Sequence, residues 1–372
     1  MTIAERWSNA RNVLCVRLDA MGDVLMTSPA IRAVKERIEG CRITLLGSGS
    51  GCSTVPLLDC IDDAVCYEAP WMKSRGNGNF SLVDNTIVQK IKARGFDAAI
   101  IFTVYSQNPL PAAMLCYWAN IPLRLGHCRE NPYSLLTDWI PEVEPQERAR
   151  HEVQRQLDLV DAIGCRTEDP RIKVKVDRFA HGQMLEVAVE HGLDAKQEWI
   201  VMHPGATAQS RRYRPDGFAA AASELIDAGF HIVWTGTEED SALIRRIQGE
   251  TRGTSVDLSG KLTLVQLAAL IGEASLLISN NTGPVHLAAG LGTPVVDLYA
   301  LTNPQHTPWH VESEVLFHNV PCRFCYKSVC PEGHNLCLQA IEPHEVVRAA
   351  YRLLSKTKIH AAAEVINVHV RH

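Results

Sequence analysis

Three short segments of this 372-residue chain hold residue types and spacings suited to chemistry. In LDAMGDVLMTSP, Asp19 and Asp23 flank Gly22, a small residue that lets the backbone turn closely past a ligand before a helix expected to begin near Thr27 to Pro29. A carboxylate at Asp23 can take a proton from a hydroxyl as that hydroxyl attacks an electrophilic carbon, if one oxygen lies within hydrogen-bond reach. Capping of the helix by Asp23 is the alternative reading.

In SNNTGPVHLAAGLGTPVVDLY, residues Asn281, Thr282 and Gly283 stand between a strand and a helix whose small apolar residues allow close packing on a sheet. Free backbone N–H groups at such a helix start, reinforced by the macrodipole and the Thr282 hydroxyl, suit a diphosphate. A plain Asn/Thr cap would use the same residues. His286 is placed either to reach the ligand or to sit in the core, hydrogen-bonded to backbone. HPGATAQSRRYRPDGF offers a second anion site, with Gly205 and Thr207 in the loop after a strand and Arg211, Arg212 and Arg214 bunched before Pro215. An arginine facing a departing diphosphate stabilises charge that grows as the bond to it breaks. For Arg211 and Arg214 a solvated loop explains the same pattern.

Two further motifs are weaker. Gly47, Gly49 and Gly51 follow a strand but lack the spacing and the downstream acidic residue of a dinucleotide fingerprint. Cys322, Cys325, Cys330 and Cys337 are separated by two, four and six residues, so only the first pair has zinc-knuckle spacing; His318 and His334 lie close by. A compact loop of reduced thiols is the expectation there, with no metal and no cofactor, and a structural metal is the alternative. The other eight cysteines (Cys15, Cys41, Cys52, Cys60, Cys66, Cys116, Cys128 and Cys165) are scattered and read as small buried hydrophobes.

These loops need a scaffold. NVLCVRL, RITLLG and DAAIIF alternate with helical stretches, one from about Ser28 to Glu39 and another around Ala112 to Ala119. That rhythm predicts a parallel, doubly wound sheet. WIVMHPG, HIVWTG, SLLISN and PVVDLY repeat it, with a helix over Pro215 to Ala228. The expected organisation is a domain over 1–180, a second over 181–356 after the crossover in KVKVDRFAHGQMLEVAVEHGLDAKQEW, and a poorly ordered polar tail over 357–372. Two open sheets facing across a cleft would bind ligands outside the carboxyl ends of their strands.

Bulk composition excludes several classes. A net charge of -5 argues against a nucleic-acid binder. Neither a signal-type apolar run nor a stretch of roughly 18 apolar residues is present, so a cytoplasmic protein is expected. Tyr117 and Trp118 suit either a membrane surface or buried helix packing, and packing is the expectation.

Together, LDAMGDVLMTSPA, the HPGA loop with its basic residue before a proline, and SNNTGPVHLAAGLGTPVVDLY resemble the motif set of glycosyltransferase family 9, the ADP-heptose transferases of lipopolysaccharide core synthesis. ANIPLRLGHCRENPYSLLTDWI, HEVQRQLDLVDAIG and the Cys-rich segment extend the similarity over nearly the whole chain. The resemblance implies a GT-B fold of two Rossmann-like domains, acceptor in the first and donor in the second. It also implies inverting transfer without a metal. Asp23 then corresponds to the catalytic base of the Met-Gly-Asp turn, and Arg212 to the basic residue on the diphosphate. Asn281, Thr282, Gly283 and His286 correspond to the donor-binding helix start, and Leu262 to an apolar position beside the nucleobase.

Two positions depart from the pattern. Arg212 stands where many members carry lysine, keeping the charge. Asn281 stands where many carry aspartate, which removes a carboxylate and leaves the donor sugar open. The expected partners are ADP-heptose and a lipid-linked or oligosaccharide acceptor, met by a monomer working peripherally at the inner face of the cytoplasmic membrane. A nucleotide-sugar epimerase or hydrolase, and a nucleotide-sugar-binding protein without turnover, are the alternatives.

Overall fold

The structure, a computed structural model, describes residues 2–72 and 81–369. The chain divides into two compact units, Met1–Lys175 and Val176–His372. In the first, strands β1 (Asn12–Arg17), β2 (Arg42–Gly47), β3 (Asp63–Cys66), β4 (Ala98–Ile101), β5 (Leu123–Cys128) and β6 (Asp138–Pro141) form one sheet. Its order among the described residues is β3-β2-β1-β4-β5-β6, and every pairing is parallel. β1 is central, with Val13 opposite both Ile43 and Ala98. Helices cover both faces of such a sheet, so its inner strands read as continuous apolar runs, and NVLCVRL and DAAIIF could be recognised for that reason.

The second unit repeats the plan. Strands β7 (Trp199–His203), β8 (His231–Trp234), β9 (Val256–Asp257), β10 (Leu276–Asn280), β11 (Val295–Leu298) and β12 (Ser313–Leu316) pair in parallel in the order β12-β11-β10-β7-β8-β9. Both units therefore have the Rossmann order, and the two doubly wound sheets expected of a GT-B chain are present. In each, the strand order reverses at one pair, β1 and β4 in the first unit and β7 and β10 in the second. Helix Arg178–Glu190 packs on helix Leu264–Glu273 within the second unit.

Four expectations are corrected. The helix placed at Ser28 starts at Met21 and runs to Arg37, with Pro29 inside it rather than at its first position. Proline cannot donate to the Leu25 carbonyl; the Ser28 hydroxyl does so instead, at 2.8 Å. Helix Pro343–His369 runs on past residue 356, where the second domain was expected to give way to the polar tail, and residues 370–372 of that tail lie outside the described residues. Tyr117 and Trp118 are 45% and 55% exposed instead of packed, because helix Leu110–Trp118 buries Ala112, Ala113, Leu115 and Cys116. Arg124 lies over the Tyr117 ring, 5.5 Å from its centroid. Of the eight scattered cysteines, Cys66 at the end of edge strand β3 is exposed and the other seven are buried.

Candidate active site

At the carboxyl end of β1 the chain passes through Leu18 and Asp19 into helix Met21–Arg37. The cap is Ala20, without a side-chain hydrogen bond, so Asp23 is not a cap. It stands in the first helical turn beside Gly22, with Oδ1 3.2 Å from Arg17 Nη2. Arg17, the last residue of β1, is fully buried and also meets Asp19 (Nε to Oδ2, 3.0 Å) and Glu152 (Nη1 to Oε1, 3.0 Å). Burial opposes its charge, but Asp19, Glu152 and Asp23 outweigh it and hold the guanidinium pKa above its ordinary value.

The carboxylates around Arg17 are not equivalent. Asp19 receives a hydrogen bond from Gln107 and has its pKa pushed up, first by burial and further by Asp23, against the pull of Arg17. Glu152 receives Gln156 Nε2 at 2.7 Å. Only Asp23 keeps substantial access, its side chain 21% exposed against 11% for Asp19 and 1% for Glu152. Next in line, Arg155 is buried on Glu142 and donates to the Thr103 carbonyl. His127 lies beside it, with Nε2 3.3 Å from the Arg155 carbonyl. Burial and Arg155 depress its pKa to about 3, so it is neutral near pH 7. The result is one accessible carboxylate on a rigid charged base, at the strand pair where ligands bind in this fold.

Arg17, Gln107, Glu142, Glu152 and Arg155 were not among the candidates. Arg17 ends an apolar strand, and Glu152, Arg155 and Gln156 share one helix face at three- and four-residue spacing. A polar stripe on an otherwise amphipathic helix was the available signal.

In the second unit, the loop after β7 and the turn after β10 are tied together by Asn280. Its Oδ1 accepts from Tyr213 N at 3.0 Å, and its Nδ2 donates to the Pro204 carbonyl at 2.7 Å. Gly205 is buried, and a Cβ there would lie 2.6 Å from Asp240 Oδ2. Thr207 is exposed. The three arginines separate in role. Arg212 is exposed, its Nε donating to the Ala206 carbonyl at 2.8 Å. Arg214 is held by Asp216 and by Glu342 at 3.1 Å, beside the Tyr213 ring, and serves the helix start at Pro215. Arg211 is half-buried and acts electrostatically on Asp297.

Thr282 is the cap of helix Gly283–Leu291, but its hydroxyl makes no cap bond and donates instead to the Asn280 carbonyl at 3.2 Å. Gly283 is half-buried, His286 is buried in the helix, and Leu262 is half-buried before the helix capped by Thr263. Asn281 is buried and its amide nitrogen is turned inward, onto Asp297.

The four clustered cysteines are free and half-buried, and their loop docks on the arginine turn. Ser210 N donates to the Ser328 carbonyl at 3.1 Å, Ser210 Oγ to the Lys327 carbonyl at 2.9 Å, and Gln339 Nε2 to the Arg212 carbonyl at 2.8 Å. Among the described residues, no three His, Cys, Asp or Glu side chains are grouped to hold a metal ion.

Comparison with known proteins places these features in context. The family model for glycosyltransferase family 9 (heptosyltransferase) matches residues 85–336. Lipopolysaccharide heptosyltransferase 3 of Escherichia coli is 31% identical over 299 residues, covering 77% of this chain and 82% of that protein. Lipopolysaccharide heptosyltransferase 2 of Salmonella typhimurium is 22% identical over 365 residues, covering 92% and 99%. Among solved structures, the family 9 glycosyltransferase of Veillonella parvula superposes with a TM-score of 0.77 at 20% identity, covering 93% of this chain and 97% of that one. ADP-heptose lps heptosyltransferase II of E. coli superposes with a TM-score of 0.75 at 20% identity, covering 93% and 99%.

Proposed function

Because the chain belongs to glycosyltransferase family 9, we propose that it transfers a heptose from ADP-heptose to a lipopolysaccharide-core acceptor, with inversion and without a metal. The observation that carries this reading is the accessible Asp23 carboxylate fixed by buried Arg17 at the β1–β4 switch point. Asp23 takes the proton of an acceptor hydroxyl as that oxygen bonds to the anomeric carbon. On the opposite side, the bond from that carbon to the diphosphate breaks, and its electron pair leaves with ADP. Attack from behind the leaving group inverts the centre in one step.

The charge that develops on the departing diphosphate is met by Arg212 and by the helix opening at Thr282 and Gly283. Pro284 removes one N–H from that opening, so the amides of Gly283 and its neighbours carry the contact. Gly22, Gly205 and Thr207 line the two loops, Leu262 supplies the apolar contact for the base, and His286 supports the helix from within. The protein acts as a monomer, peripherally at the inner face of the cytoplasmic membrane. The names of its relatives support the donor and acceptor classes.

The reaction is tested by following ADP release with ADP-heptose alone and with a lipid-linked core acceptor added. Release that begins only with acceptor is the expected outcome. Turnover of the donor on its own would replace transfer with hydrolysis or epimerisation, and silence in both arms would leave a binding protein.

A further inference from the structure

Asn281 has its amide fully committed on one side. Nδ2 donates to Asp297 Oδ2 at 3.0 Å and to the His306 backbone carbonyl at 2.9 Å, so both of its hydrogens are used. The opposite orientation fails, because it would set Oδ1 against a backbone carbonyl that can only accept. That argument holds whether or not Asp297 carries a proton.

Asp297, on β11, is fully buried, with one oxygen on Asn281 and the other, Oδ1, lacking a hydrogen-bond partner. Leaving a buried polar atom unsatisfied is costly, and that cost calls for a return elsewhere. The return is orientation. An asparagine amide presents either a donor or an acceptor, and only fixed partners decide which.

We propose that Asp297 and the His306 carbonyl are positioning groups that hold the Asn281 amide with its oxygen toward the nucleotide-sugar donor, making position 281 an acceptor for a hydroxyl of the transferred sugar. The inference rests on the donor reading above and adds to it a specificity device. Position 281 keeps the hydrogen-bond acceptor that an aspartate would present and drops the negative charge. Asp297 acts through Asn281 and does not itself touch the ligand.

The test compares calorimetric titrations of ADP-heptose and of ADP into the wild type and into Asp297→Ala, Asp297→Asn and Asn281→Ala. Asp297→Ala removes the acceptor for Nδ2, whereas Asp297→Asn keeps one in its amide oxygen. The expected result is roughly tenfold weaker ADP-heptose binding for both alanine variants, unchanged ADP binding, and wild-type behaviour for Asp297→Asn. Equal weakening by Asp297→Ala and Asp297→Asn overturns the proposal, since a hydrogen-bond acceptor at position 297 would then not be what holds the amide. Wild-type ADP-heptose affinity in Asn281→Ala overturns it too. Should Asp297→Ala fail to fold, Asn281→Ala and Asp297→Asn decide the matter between them. A wild type that binds neither ADP nor ADP-heptose would instead sink the donor reading.

Discussion

Asp297 carries a thermodynamic signature of its own. Burial pushes its carboxyl pKa up to about 8, against the pull of the Asn281 hydrogen bond and of Arg211. Tyr299 lies close enough to feel its charge. In the unfolded chain the group ionises near its ordinary 3.8, whereas the folded protein keeps the proton until about pH 8. Its contribution to stability is therefore fully present below pH 3.8 and is lost as pH rises to about 8. Urea denaturation of wild type and Asp297→Asn across this range checks the point. The wild type should lose ground to the variant by on the order of a few kcal/mol between pH 4 and pH 8, and no further above it. Parallel stability curves would contradict the assignment.

Residue-scale chemistry was also where the sequence was hardest to read. Asp23 could be singled out because Gly22 and the apolar strand before it mark a turn at the carboxyl end of a sheet. The inward turn of Asn281 could not, because both of its acceptors lie beyond its own turn, on β11 and at His306. Arg17 and Glu152 are 135 positions apart, and no local pattern couples them. Their cluster sets the carboxylates Asp19, Asp23, Glu142 and Glu152 against the guanidiniums Arg17 and Arg155. Within it, burial and the neighbouring Asp23 charge raise the pKa of Asp19 against the pull of Arg17, Gln107 and Arg155.

Among the elements, strands were easier than helix ends. Strands such as β1, β2, β4, β7 and β10 are short apolar runs and could be read from the residue pattern, whereas inner strand β5, LRLGHC, carries Arg124 and His127 and gave no such signal. Helix Met21–Arg37 was placed too late because Pro29 imitates a first-turn proline, and the local Ser28 hydroxyl bond to the Leu25 carbonyl, which makes it tolerable inside a helix, leaves no mark in the residue pattern. The loop after β7 yields a prediction at this scale. Asp240 is fixed by Thr237, through N at 2.9 Å and Oγ1 at 2.8 Å, and fills the space that a side chain at Gly205 would need. Gly205→Ala should cost about 1–3 kcal/mol of stability in urea and weaken ADP binding, because the loop must shift away from Asp240. A variant with unchanged stability and ADP affinity would show that the loop has room to spare.

At the scale of the whole molecule, the two units share one strand order and divide the chemistry between them. In the proposed reaction the first contributes the Asp23 carboxylate on its charged platform, and the second contributes the Arg212 loop and the helix start at Thr282. No helix among the described residues is long and apolar enough to cross a membrane. Tyr117, Trp118 and Tyr133 are among the exposed aromatic side chains on which a peripheral role could draw. Division of labour makes the central claim separable from donor binding. Asp23→Ala, assayed with ADP-heptose and a lipid-linked core acceptor, should lose roughly 10²-fold or more in turnover while binding ADP-heptose as tightly as the wild type. Transfer at a near wild-type rate by that variant would contradict the assignment of Asp23 as the base.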